Sequence, residues 1–216
     1  MTPNDELEYN ACTPMPLDQG VFNLNCELPY GCEIEHIQKG MQDFLEFLSY
    51  INGQLNIRQL SRLEAMLMPA NFSSLVGEFM HTAITKYCPT LIKNQYHNGH
   101  PDLIPVDYYP NNKILHGDEG IEIKASRNLS GWQGHNAEAV WLMIFVFDSS
   151  NQSDKGNDIP PRPFKFVTVG GAKLSKNDWS ESGRSPTSRR TPTASIVRSG
   201  YLKITDNWIY KLKTDQ

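Results

Sequence analysis

Residues 140–147 read Val-Trp-Leu-Met-Ile-Phe-Val-Phe, eight apolar residues without a break. β-branched and aromatic side chains fill the run, the mark of a strand buried on both faces in the middle of a sheet. An all-helical fold has no place for such a segment, and neither has a sheet with one face in water. The run is also far too short to cross a bilayer. It needs covering elements, and the chain places helical patterns ahead of it. Over 34–51, Ile34, Ile37, Met41, Phe44, Leu45, Leu48 and Ile51 share one helical face, with Gly53 as a stop. A short helix over 57–67 is expected next, capped by Asn56 with Gln59 and ended by Pro69. A third, over 73–87, carries Phe72, Leu75, Val76, Phe79, Met80, Ala83 and Tyr87 and closes before Pro89.

Around the central run the pattern is that of a sheet. Residues 100–106 and 121–126 read as strands joined by the turn-rich stretch 107–120, and 132–139 allows two helical turns at most. Residues 164–169 alternate and stop at Gly170-Gly171; 174–179 suggests one helical turn; 194–198, 201–205 and 208–212 read as short strands. The expected class is α/β: N-terminal helices, then a central mixed β-sheet, then a β-rich basic C-terminal part. One domain accommodates all 216 residues. It divides into an irregular arm (1–32), a helical part (33–90), a sheet core (96–170) and the basic end (171–216).

Hydrophobic content of 39% and charged content of 20% describe a globular chain. Its start lacks a basic, then apolar, export signal, so a cytoplasmic protein without membrane contact is expected. Cysteines at 12, 26, 32 and 88 match no zinc spacing and read as free thiols. The net charge of −4 is unevenly spread. Residues 1–160 hold 9 Lys+Arg against 20 Asp+Glu, whereas 161–216 hold 11 against 4. Such a basic end suits a polyanion, or complements the acidic part within the fold.

The chemistry concentrates in 99–126. Pro101-Asp102 opens the stretch, and Glu122-Ile123-Lys124 lies in a strand pattern near its end. Alternation along a strand puts Glu122 and Lys124 on one face and Ile121, Ile123 and Ala125 on the other. If the strands at 100–106 and 121–126 pair, Asp102 approaches Glu122, and two carboxylates can hold a hard divalent cation beside an ammonium group. Asp107, Asp118 and Glu119 are rival acids in turn-like positions. His97 and His100 flank the first strand and read as structural, and His135 reads as a loop contact.

Pro101-Asp102 followed by Glu122-Ile123-Lys124 resembles the signature of the PD-(D/E)XK nuclease superfamily, and the compact length resembles a type II restriction endonuclease. The resemblance covers roughly 71–148: a helix before the first motif strand, a hairpin-like link between the acidic positions, a helical segment and a buried strand. It implies a restriction-endonuclease-like sheet and Mg²⁺-dependent cleavage of specific double-stranded DNA, with Mn²⁺ as a substitute ion. Asp102, Glu122 and the Ile123 carbonyl become metal ligands and Lys124 the catalytic lysine. Glu78 on the preceding helix and Gln133 after the lysine strand are further candidates. DNA contacts are expected from Arg184, Ser188, Arg189, Arg190 and Arg198, with Lys173 and Lys176, since arginine suits bidentate reading of guanine. The same resemblance implies a homodimer, one site per strand, with a cognate methyltransferase that need not touch it. A structure-specific repair or recombination nuclease, or a DNA-binding protein without catalysis, remains the alternative.

Overall fold

The computed structural model describes residues 3–134, 136–181 and 193–213. In chain order it holds α1 (Pro3–Ala11), α2 (Ile34–Ile57), α3 (Leu63–Met66), α4 (Pro69–Tyr87), β1 (Leu91–Lys93), β2 (Leu103–Pro105), β3 (Ile121–Ser126), β4 (Gln133–Gly134), β5 (Trp141–Asp148), β6 (Lys165–Lys173), β7 (Trp179–Glu181), β8 (Ala194–Ile196), α5 (Arg198–Asp206) and β9 (Trp208–Lys211). It is a mixed α/β fold with helices ahead of a mixed sheet.

The main sheet runs β1-β2-β3-β5-β6-β9, and a small sheet runs β4-β8-β7. β1, β2 and β3 form an antiparallel meander. The chain then crosses over so that β5 lies parallel to β3, with Ile121 opposite Trp141 and Lys124 opposite Ile144. β6 and β9 add antiparallel strands beyond it. β5 is therefore flanked on both edges and buried on both faces, as its composition requires.

Side-chain alternation sorts the two cores. Ile121, Ile123, Trp141, Met143, Phe145 and Phe147 face α2 and α4, meeting Phe44, Leu48, Phe72, Val76 and Met80. Leu142, Ile144 and Val146 face the other way, onto Trp132 just before β4, Leu174 just after β6, Trp179 of the small sheet and Ile204 of α5. The helices cross closely because residue 40 is glycine: a Cβ there would stand 3.2 Å from Met80 Cε. Gly171 does the same in the sheet, leaving room for the Trp141 ring, which a Cβ would meet at 2.1 Å.

Several local expectations are corrected. The arm at 1–32 begins with a helix, α1. α2 runs through Gly53 to Ile57, and Gln59 takes φ 58° just beyond, so the helix expected over 57–67 shrinks to α3. α4 starts at Pro69, which suits a first helical turn because its nitrogen has no N–H to leave unpaired. The described residues of 132–139 form no helix and contribute β4 instead. β6 continues through Gly170-Gly171 to Lys173. The C-terminal part is less β-rich than expected, since 201–205 belongs to α5. Five residues fit both periods: Tyr201 and Ile204 stand three apart, and Gly200 lets the helix approach Asp178, where a Cβ would meet backbone at 3.0 Å. No helix among the described residues is long and apolar enough to cross a membrane.

Candidate active site at the split between β2 and β3

β2 and β3 pair through one register, Leu103 with Ile121, and then part. Asp102 stands at the parting. Its Oδ2 accepts the Ile123 N–H at 2.8 Å, replacing the strand partner that β3 has lost. The N–H and C=O of one strand residue leave on the same edge, so the Ile123 carbonyl also opens toward this split. Glu122 and Lys124 lie on the sheet face away from α2 and α4, as strand parity dictates.

Around these three the fold gathers more chemistry. Lys124 Nζ is 2.9 Å from Glu122 Oε1 and 3.9 Å from Glu138 Oε2. His100 Nδ1 reaches Glu122 Oε2 at 2.8 Å and Glu138 Oε1 at 3.8 Å. His81, on the buried side of α4, brings Nε2 to 3.2 Å from Asp102 Oδ2, an ion-pair distance without hydrogen-bond alignment. Glu138 is held by its backbone, whose carbonyl accepts the Trp179 indole N–H at 2.9 Å. Above Lys124 the crossover is thin: a Cβ on Gly134 would stand 3.6 Å from Lys124 Cε.

The charges do not balance. Asp102, Glu122 and Glu138 share one lysine, with His100 and His81 beside them. Burial raises the Asp102 carboxyl above its ordinary range; His81 opposes this and the Glu122 charge adds to it. Burial also raises Glu138, against Lys124, with Glu122 again adding. For Glu122 burial pulls upward too, but the His100 hydrogen bond and the Lys124 charge win and hold it at about 2. Lys124 is pushed down by burial, yet Glu122 and Glu138 lift it above its ordinary value, so it stays an ammonium group. Glu138 Oε2, His100 Nε2 and both nitrogens of His81 are buried without a hydrogen-bond partner among the described residues.

That surplus is the test of whether a divalent cation fits. Ligand atoms of His100, Glu122 and Glu138 all lie within 4.8 Å of one another, and Asp102 with the Ile123 carbonyl faces the same split. Three carboxylates, a carbonyl and an imidazole suit a hard or borderline divalent ion. Its charge would offset the burial, and the Glu122 repulsion, that lift Asp102 and Glu138. The residues fit.

The structure brings Asp102, Glu122, Ile123 and Lys124 together. Glu78 stays outside: it is 65% exposed, paired with Lys93 at 2.8 Å, and reaches the site only through His81, 3.7 Å away. Gln133 is exposed and donates to Ser195 Oγ at 3.2 Å, next to the Gly134 that covers Lys124. Asp107 binds Asn112, Glu119 accepts the Tyr30 hydroxyl, and Asp118 offers its carbonyl to Lys173. Arg198 opens α5 on the surface and Lys176 is exposed, while Lys173 pairs with Glu119 at 3.5 Å. Arg184, Ser188, Arg189, Arg190 and His135 lie outside the described residues. Part of the basic end does complement the acidic part internally: Arg162, Lys165 and Lys173 pair with Asp148, Asp154 and Glu119.

His81, His100 and Glu138 escape a sequence reading of function. His81 stands three residues after Glu78, on the same helix, and its burial within the apolar stripe is the signal that singles it out. Glu138 follows no motif. No family model matches the chain, and no curated protein or solved structure proves similar to it.

Proposed function

We propose that the chain is a type II restriction-like endonuclease that hydrolyses phosphodiester bonds in specific double-stranded DNA with Mg²⁺ as its ion. The observation that carries this reading is the convergence of Asp102, Glu122 and Lys124 at one split in the sheet, with an acid surplus that a cation and a phosphate would use. The architecture proposed is restriction-endonuclease-like: a helix, a meander bearing both acids, and a parallel central strand. The helical segment expected after the lysine strand is the one departure, replaced by β4.

Asp102, Glu122 and the Ile123 carbonyl would hold the ion, with Glu138, His100 and His81 at hand to complete or orient the set. Bound there, the ion would polarise the scissile phosphate and acidify the attacking water. Lys124 keeps its proton at neutral pH, so its part is electrostatic: it neutralises phosphate oxygens as charge builds on them. Glu138 is the better proton acceptor, because a raised pKa gives a stronger base and its Oε2 accepts no hydrogen bond among the described residues. Water adds to phosphorus, the 3′ oxygen leaves, and the products carry a 5′-phosphate and a 3′-hydroxyl. Arg198 and Lys176, with the basic stretch 182–192, would meet the duplex, and a homodimer would present one site to each strand.

Incubation with plasmid and phage DNA, in Mg²⁺ and in EDTA, tests the proposal. Discrete fragments appear in Mg²⁺ alone, and Lys124→Ala lowers cutting by about 100- to 1000-fold while a gel shift persists. Uncut DNA under every condition, or full activity in Lys124→Ala, overturns it.

A further inference from the structure

Where the start of α2 meets the end of α4, three other ligand-type side chains converge. Cys32 ends the loop ahead of α2, His36 lies in the first turn of that helix, and Cys88 caps α4. One ligand atom of each lies within 4.8 Å of the other two. Cys32 is 5% exposed and Cys88 fully buried, while His36 occupies the more open side. We propose that Cys32, His36 and Cys88 form a zinc site that clamps the start of α2 to the end of α4, with water in the fourth position.

Two thiolates and an imidazole are the donors that zinc takes and that Mg²⁺ avoids. The metal-free chain already brings them together: Cys88 Sγ lies 3.2 Å from Thr90 Oγ1 at the end of α4, and Cys32 Sγ lies 3.9 Å from the Glu33 carbonyl at the start of α2. His36 Nδ1 accepts the Glu33 N–H at 3.1 Å. Ligation through either ring nitrogen ends that bond, since Nδ1 must then offer its lone pair to the ion or carry the ring proton. One cap bond is exchanged for three metal–ligand bonds.

Sequence spacing conceals the site because Cys88 arrives only when α4 packs on α2. Its neighbours give it reach. Thr90 donates to the Tyr30 carbonyl at 2.6 Å, and the Tyr30 hydroxyl bonds Glu119 and accepts the Gly120 N–H at 2.9 Å, at the turn that delivers β3. Filling the clamp would stiffen the loop that braces this turn.

Cobalt titration of the purified, chelator-treated full chain decides the matter without relying on a variant. One equivalent of bound cobalt gives thiolate-to-cobalt charge-transfer absorption and the intense visible bands of a tetrahedral site, and zinc bleaches both. Cys88→Ser abolishes these bands; Cys12→Ser retains them, and so does Glu122→Gln, which separates this site from the proposed catalytic cation. Cobalt bound without thiolate bands overturns the proposal. So does a thiol count on the denatured protein showing Cys32 and Cys88 joined as a disulfide before any treatment.

Discussion

Arg62 and Lys124 are both cations set among acids in the interior, and the fold finishes them differently. Arg62, 2% exposed, spends every nitrogen: Nε on Glu8 at 2.9 Å, Nη1 on Glu64 at 2.6 Å with the Ala11 and Arg162 carbonyls, and Nη2 on Ser150 at 3.1 Å. Glu64 in turn accepts from Asn52, whose carbonyl oxygen takes the Leu63 N–H. Nothing in that cluster is left over. Around Lys124, three acids meet one ammonium group and two histidines, and buried atoms of Glu138, His100 and His81 find no hydrogen-bond partner among the described residues. A buried polar network that is fully satisfied fixes structure; one left incomplete is costly unless something else completes it. The first cluster ties α1 and α3 to the 150–162 loop. The second is left incomplete, and the proposed ion and substrate would complete it.

The largest effect expected from this contrast is on stability. Arg62→Ala strands Glu64 in the core, and breaking a buried pair from one side costs about 3–5 kcal/mol. Urea denaturation measures it. If the variant unfolds at the same midpoint as the parent, the Arg62 cluster is not the structural knot described here.

Glu138→Gln is the converse experiment. It removes a charge the fold already disfavours, so the metal-free chain keeps or gains stability, while cutting falls by about 100-fold with the loss of a proton acceptor. The pH dependence of the metal-free parent follows from the same groups. Asp102 and Glu138 titrate above their ordinary values when folded, so as pH falls through those folded values the native state takes up protons that the unfolded chain does not. Stability therefore rises on acidification from neutral pH. His100, also raised against the pull of burial, acts in the same sense: its contribution is complete below its ordinary 6.5 and fades as pH climbs through its folded value. Glu122 opposes them only in strong acid, because its contribution is intact above its ordinary 4.5 and is lost as pH drops toward about 2. Thermal midpoints in EDTA should climb as pH is lowered from 8 toward 5, with a shallower slope in Glu138→Gln. An equal slope in both would remove Glu138 from the surplus.

The two clusters also differ in how far the sequence reveals them. Glu122 and Lys124 are legible because a two-residue spacing on a strand is local, and Asp102 because it stands beside Pro101 ahead of an apolar pair. The buried strand at 140–147 is legible for the same reason: its composition alone demands two covered faces. His81 and Glu138 are not, because their partners are set by tertiary approach, α4 against β2 for one and the Trp179 anchor of the crossover for the other. Arg62 is equally silent in the sequence, a lone arginine between Ser61 and Leu63 whose five partners come from four separated segments. Short elements fail for another reason. Residues 201–205 satisfy a strand and a helix pattern alike, and only the closeness of Gly200 to Asp178 decides for the helix.

The smallest expected effect sharpens the edge of the site. Glu78 belongs to neither cluster: it is mostly in water, and its bond to Lys93 is an exposed pair whose hydrogen bond holds the carboxyl below its ordinary range. Pairs of this kind contribute about 0–1 kcal/mol. Glu78→Gln should therefore leave the urea midpoint close to that of the parent and change cutting little, since the 3.7 Å gap to His81 Nδ1 lets it touch the chemistry only by orienting that ring. A loss of cutting as deep as that of Glu138→Gln would mean that Glu78 swings inward when the ion or DNA binds. The acid surplus would then have a fourth member, and His81 would act as the hinge between the helix flank and Asp102.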